Sequence, residues 1–241
     1  FFPDWKAGGH GATSVVKAIA ESVNCFFYLI GGGHDTFQGL GVDRLAGYLT
    51  GFGFGEPTGI EIPGEAKGLV PSPEWKAQRS EEPWYIGDTY HLAIGQGDFL
   101  VTPLQIARMT AYFASGGKWT RPHLAMTTEQ QDNRTALADG PGIDPAHIQT
   151  VRQGMRATVT QGSARSLQAL PVTMAGKTGT AQWSSTKPTH AWFTGFAPYE
   201  NPEIAITILV EEGGEGSAIA VPIARDIVSW WVTHKDINSS L

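Results

Sequence analysis

Cysteine is almost absent: Cys25 is the only one in 241 residues. An intrachain disulfide is therefore excluded, and the compartment is left open. The plain reading of Cys25 is a small hydrophobe buried on a helix. Long apolar runs are missing as well. A stretch such as Ile204-Ala205 is interrupted within a few residues by Thr207, far short of the roughly 18 apolar residues a membrane helix needs. The chain opens on Phe1-Phe2-Pro3-Asp4-Trp5, with no basic segment ahead of an apolar one, so no signal peptide is read there. An opening this abrupt reads as a piece of a longer protein. There is no basic run either, and the net charge is −6, so nucleic acid is not an expected partner. The seven histidines show no His-Glu-x-x-His or similar ligand spacing, and neither a metal nor another cofactor is expected.

What is present describes a folded domain. Hydrophobic residues make up 41% and charged residues 17%, a globular rather than disordered balance. The length suffices for one large domain with a real core. Apolar residues at Val15, Val16, Ile19, Ala20, Val23, Phe27 and Ile30 have helical spacing and predict one helix over 12–30, ended by Gly31-Gly32-Gly33. A second helix is predicted from Val42 to about Thr50. Residues 56–90 are rich in Pro, Gly and Glu and predict a long irregular excursion, with a short strand at Gly59–Ile62. Thr102-Pro103-Leu104-Gln105 is the clearest helix start, a capping threonine, a proline at the first position and a capping-box glutamine; that helix should reach about Ser115. Asp144-Pro145 repeats the signal for a helix to about Thr160. Strands follow from Val172 through Lys177 to Trp183, over His190–Phe196 and over Ile204–Val210, and their closeness in sequence predicts an antiparallel meander. A last helix covers Ala218 to Trp231. The expected class is α/β of the α+β type: a mostly helical part over 1–165, then an antiparallel sheet and a closing helix over 166–241, together part of one domain.

Two short elements offer chemistry. Lys177-Thr178-Gly179-Thr180 falls on the first strand. A sheet edge that takes up a peptide needs a residue without a side chain where the two backbones approach, and Gly179 meets that need. Flanking hydroxyls can hold a carboxylate, and a lysine supplies positive field. An ordinary strand with one lysine and a glycine bulge fits the tetrapeptide equally well. A phosphate-binding loop does not, because the position five before Gly176 is Pro171 and strand signals surround the segment. The second element is Ser22-Val23-Asn24. Positions i and i+2 of a helix do not share a face, so Ser22 and Asn24 act together only if the helix turns there, and the apolar spacing shows no break. Taken alone, the pair reads as capping or solvent-facing polar residues.

In this order the elements resemble the Ser-x-x-Lys, Ser-x-Asn and Lys-Thr-Gly set of penicillin-binding proteins and serine β-lactamases. Ala93-Ile94-Gly95-Gln96-Gly97 with Val101-Thr102-Pro103-Leu104-Gln105 looks like the transpeptidase signature between the second and third motifs. Ala175 to Gln182 is similar to the family's third-motif context, and His190 to Pro198 to its next strand. Gly9-His10-Gly11, Gly59-Ile60-Glu61 and Gly68-Leu69-Val70-Pro71 with Trp75-Lys76 resemble the elongation-specific class B branch, the penicillin-binding protein 2 type.

The resemblance implies a transpeptidase-like fold and a peptidoglycan D,D-transpeptidase. A serine would attack the D-Ala-D-Ala carbonyl of a stem peptide, and a neighbouring amine would accept the acyl group. It implies that Ser22 relays a proton, Asn24 bonds the substrate amide, and Lys177 supplies positive field. Thr178 and Thr180 would bind the carboxylate beside Gly179, and the Thr180 N–H would form half an oxyanion hole. Implied partners are stem peptides, β-lactam antibiotics, and the glycosyltransferase and scaffold proteins of an elongation complex. The implied place is the periplasmic side of a bacterial inner membrane. The first motif is the departure. Near the front only Ser14-Val15-Val16-Lys17 matches, eight positions before Ser22, where the family has a helix leading into that serine; it is read as a chance match. The nucleophile is expected upstream of Phe1, so these 241 residues alone are not expected to acylate. A D,D-carboxypeptidase or serine β-lactamase, and a non-catalytic β-lactam-sensing or scaffold domain, are the rival readings.

Overall fold

The computed structural model describes residues 2, 4–124 and 140–235. The chain folds as two compact units that interleave in sequence: residues 1–13, 23–109 and 118–143 in the first, and 14–22, 110–117 and 144–241 in the second.

The first unit is helical. It holds α2 (Asn24–Gly32), α3 (Gly41–Gly51), α4 (Pro73–Arg79), α5 (Ile86–Ala93) and the start of α6 (Pro103–Ala114). Gly31 and Gly32 do not end α2 as expected; they lie inside it. A Cβ on Gly31 would overlap the Ala93 side chain, and one on Gly32 the Tyr90 ring. These glycines let α2 and α5 pack closely, and only Gly33, with φ +77°, ends the helix. The N-terminal segment is pinned to α2 through Asp4. One carboxylate oxygen lies 3.0 Å from Nε2 of the buried His10, and the other accepts the Cys25 N–H at 3.2 Å. Cys25 does sit on a helix, but only half-buried.

The excursion over 56–90 is more regular than its composition suggested. It contains α4 and enters α5, and the strand expected at Gly59–Ile62 does not form. Ser72 and Pro73 start α4 with the same cap-then-proline signal as Thr102-Pro103, the Ser72 hydroxyl accepting the Trp75 N–H. Asp88 accepts the Tyr85 N–H at 2.7 Å and the Lys76 ammonium at 2.8 Å. The turn at Thr58 is held by the Glu65 carboxylate, not by a ladder: it accepts the Thr58 N–H and hydroxyl and the Gly59 N–H.

The predicted capping box of α6 forms. The Thr102 N–H donates to Gln105 Oε1 at 2.9 Å, and the Gln105 N–H to Thr102 Oγ1 at 3.2 Å. Gln105 is 2% exposed, and its amide also donates to the carbonyls of Glu56 and Lys67, both at 2.9 Å. One side chain thus ties a helix start to two loop segments. Gln105→Leu removes the bonds made by that side chain to the Thr102 N–H and to the Glu56 and Lys67 carbonyls. It should lower stability by at least about 2 kcal/mol, read from the shift in urea unfolding.

The second unit carries the sheet. α1 (Val15–Glu21) packs on α7 (Pro145–Thr160), α7 packs on β1 (Ala175–Ala181), and β1, β2 (His190–Ala197) and β3 (Ile204–Val210) form an antiparallel meander in that order. A 3-10 helix, Arg165–Ala169, and α8 (Ala220–His234) close the layer. The main core gathers Val159, Leu167, Met174, Phe193, Val221 and Val228 between α7, the sheet and α8. Met155, Ala175 and Phe196 form a second cluster. Pro222 lies in the first turn of α8, where its missing N–H would have no partner in the helix anyway. The helix expected over 12–30 is two helices, broken at Ser22.

Candidate active site

Ser22 is where α1 ends, and its backbone is left-handed, with φ 56° and ψ 52°. A residue with a Cβ adopts this only at a cost of roughly 1–2 kcal/mol, so the surroundings must impose it. Its N–H bonds back to the Ala18 and Ile19 carbonyls, which closes α1 before α2 starts. The apolar periodicity runs on through the break, with Ala20 and Val23 buried on either side of Ser22. Periodicity therefore could not report the turn.

The placement of α1 depends on two glycines of the α7 region. A Cβ on Gly154 would come within 2.8 Å of the Ile19 side chain. One on Gly162 would overlap the Ala20 carbonyl oxygen. Thr158, fully buried, points its hydroxyl at the Ile19 carbonyl at 3.5 Å. Ser22 is thus seated by close backbone packing.

The register Lys177↔Thr194, Thr178↔Phe193, Gly179↔Trp192 and Thr180↔Ala191 fixes β1. From it the Lys177 ammonium reaches across to Ser22, donating to Oγ at 2.8 Å and to the Thr178 carbonyl at 2.7 Å. The two residues are 155 positions apart. Lys177 keeps part of its surface exposed, but burial around the ammonium pushes its pKa down to about 8. At neutral pH it remains mainly charged, in a setting where water screens it little. The site can therefore hold a serine hydroxyl oriented by a cation.

Thr178 and Thr180 stand on one face of β1, as alternation requires. Thr178 Oγ1 lies 2.6 Å from Ser163 Oγ, and Thr180 Oγ1 accepts the Gly216 N–H at 3.4 Å. Gly179 lies against Trp192, where a Cβ would come within 3.0 Å of the Trp192 Cβ. Asn24 is the first residue of α2 and belongs to the first unit. Ser14 serves its own helix. It caps α1, its exposed hydroxyl accepting the Lys17 N–H at 3.3 Å.

Two residues of this site were not singled out from the sequence, Ser163 and Gly216. Ser163 follows α7 by two residues, Gln161 and Gly162, and nothing local links it to Thr178. A Cβ on Gly216 would overlap the carbonyls of Gly179 and Trp192, a close approach that glycine alone allows and that only the folded chain reveals. Among the described residues no group of three or more His, Cys, Asp or Glu side chains is placed to hold a metal ion.

Several known proteins are similar to this chain in sequence and fold. A peptidoglycan D,D-transpeptidase MrdA from Haemophilus influenzae is 35% identical over 97% of this chain and 38% of its own length. The chain thus spans well under half of that relative. In a complex of penicillin-binding protein PBP2 and MreC from Helicobacter pylori, the matching chain is 40% identical with a TM-score of 0.80, over 93% of this chain and 41% of that one. PBP2 of Pseudomonas aeruginosa, in complex with WCK 5153, is 39% identical with a TM-score of 0.82, over 94% and 49%. The family described as penicillin binding protein transpeptidase domain matches residues 2–229. A match over nearly the whole sequence makes this chain a member of the penicillin-binding protein transpeptidase family.

Proposed function

We propose that the chain works as part of a peptidoglycan D,D-transpeptidase of cell-wall elongation, with the serine nucleophile supplied by sequence outside these 241 residues. The observation that carries this reading is the 2.8 Å bond from the Lys177 ammonium to the Ser22 hydroxyl, made while Ser22 holds a costly left-handed backbone. Strain of this kind concentrates at functional sites.

In the proposed reaction the nucleophile's oxygen attacks the carbonyl carbon between two D-alanines. The C–N bond breaks, and the departing amine takes a proton passed through Ser22. An amine from a second stem peptide then attacks the ester, and the serine regains its proton. Lys177 holds positive field over the hydroxyl relay and the substrate carboxylate. Asn24 bonds the donor amide, Thr178 and Thr180 take the carboxylate, Gly179 admits the substrate backbone, and the Thr180 N–H faces the developing oxyanion. β-Lactams acylate the same serine. The use of Ser14 for capping supports a nucleophile elsewhere.

The H. pylori complex with MreC supports a scaffold protein among the partners; a glycosyltransferase of the same complex is proposed with it. Proposed with them is a periplasmic position, with an inner-membrane anchor outside this sequence. Among the described residues no helix is long and apolar enough to cross a membrane.

The test supplies a full-length protein with a donor ending in D-Ala-D-Ala and a labelled amine acceptor, and follows D-Ala release and amide formation by mass. Release matched by new amide is the expected result. Release with only hydrolysed donor would replace the transferase by a carboxypeptidase, rapid β-lactam turnover would mark a β-lactamase, and no reaction with either would leave a sensing or scaffold role.

A further inference from the structure

Thr178 has a hydroxyl partner that no role above uses. Its Oγ1 lies 2.6 Å from Ser163 Oγ, across 15 positions of sequence. The Ser163 side chain is exposed, but its backbone is held on both sides. The Gly162 N–H donates to the Ala157 carbonyl and the Ala164 N–H to the Thr158 carbonyl, each at 3.0 Å. Ala164 itself is fully buried. The last turn of α7 thus fixes where the Ser163 hydroxyl starts from, and the register with Phe193 fixes Thr178 on β1.

This inference rests on the proposed function, in which Thr178 and Thr180 hold the substrate carboxylate. An ionised carboxylate only accepts, and a hydroxyl has a single proton to give, so each threonine must aim that proton at the substrate. Thr180 is arranged for this. Its Oγ1 accepts the Gly216 N–H at 3.4 Å, and a backbone N–H can only donate. The partner of Thr178 is different, because a serine hydroxyl can give or take the proton between them. A hydrogen bond to a charged acceptor is about twice as strong as one between neutral groups. A bound carboxylate therefore draws the Thr178 proton to itself and leaves Ser163 to donate.

We infer that Ser163 is a positioning residue for donor binding: its hydroxyl donates to Thr178 Oγ1 and so holds the Thr178 proton toward the substrate carboxylate. It acts through Thr178, and only where the ligand carries a negative charge at that point. With Gly216 behind Thr180, both carboxylate-binding hydroxyls of β1 then receive a bond from outside the strand.

The test measures acylation of a full-length protein by benzylpenicillin and by its methyl ester, which lacks the charge. The quantity read is the ratio of the free-acid rate to the ester rate. Ser163→Ala should lower this ratio by about fivefold, and Ser163→Thr, which keeps the hydroxyl, should hold it near the parent value. In a Thr178→Val background, Ser163→Ala should lower it no further, the coupling expected of one chain of bonds. A loss shared equally by acid and ester would mark Ser163 as merely structural and overturn the inference. So would equal losses in Ser163→Ala and Ser163→Thr, or a Ser163→Ala loss that persists in Thr178→Val, which would mean a hydroxyl acting without Thr178. A full-length parent acylated by neither reagent would overturn the proposed function and this inference with it.

Discussion

Lys177→Met should slow acylation of the full-length protein by penicillin by at least about 100-fold. The methionine keeps an unbranched chain of similar length but removes the charge that bonds Ser22 Oγ at 2.8 Å and the Thr178 carbonyl at 2.7 Å. It takes away both the orientation of the relay and the field over the substrate carboxylate. In the parent, the same dependence should appear as an alkaline limb. Burial sets the Lys177 pKa at about 8, so acylation should fall as pH rises through 8, and the limb should be absent in Lys177→Met. Stability moves the other way. An unfolded lysine titrates near 10.4, so between about 8 and that value the unfolded chain binds more protons at this position than the folded one. Its contribution to unfolding free energy therefore rises with pH over that window. The parent should gain stability relative to Lys177→Met as pH goes from 8 to 10.5, while its acylation declines. A lysine that served only as a structural ion would not show these opposite slopes.

Gly162→Ala should be the more damaging of two glycine-to-alanine changes. The added Cβ would overlap the Ala20 carbonyl oxygen and press on the Ala20 carbonyl carbon and the Thr158 Cα. All three are backbone atoms that no rotamer change can move. The predicted cost is about 1–3 kcal/mol. Relief must come from shifting α1, whose last carbonyls hold the Ser22 N–H, and a shift of this size in a reacting group can cost about 100-fold in rate. Ser163, next in sequence, would carry Thr178 with it through their 2.6 Å contact. Gly47→Ala is the counterpart. Gly47 lies inside α3 with nothing within 4 Å of a new Cβ, so alanine should stabilise by about 0.5–1 kcal/mol and leave acylation alone. Thermal unfolding and penicillin acylation measured together separate the two.

These cases also mark what could be read in the sequence. Local signals with a complete stereochemical logic were legible: Thr102 with Pro103 and Gln105, Asp144 with Pro145, and the three β-rich runs that became the meander. Signals of the same kind were missed where composition distracted from them, as at Ser72-Pro73 inside a Pro- and Gly-rich stretch. Gly31 and Gly32 read as terminators because a glycine's effect on its own helix is local, whereas its use in packing, here against Ala93 and Tyr90, depends on a helix some 60 residues on. The site divides in the same way. The motif order named Ser22, Asn24, Lys177, Thr178, Gly179 and Thr180, and the fold joins Ser22 to Lys177. The turn that makes Ser22 usable was hidden, since apolar spacing continues through it. Ser163 and Gly216 were silent because their partners are distant in sequence and their side chains are too small to leave a pattern.

The most direct measurement is the intact mass of two proteins after incubation with a fluorescent penicillin: these 241 residues alone, and a version extended upstream to the length of the relatives. One covalent adduct is expected on the extended protein, on a serine before Phe1, and none on the shorter chain. An adduct on the shorter chain at Ser14 would contradict it, and the active site would have to be rebuilt around Ser14 and Lys17.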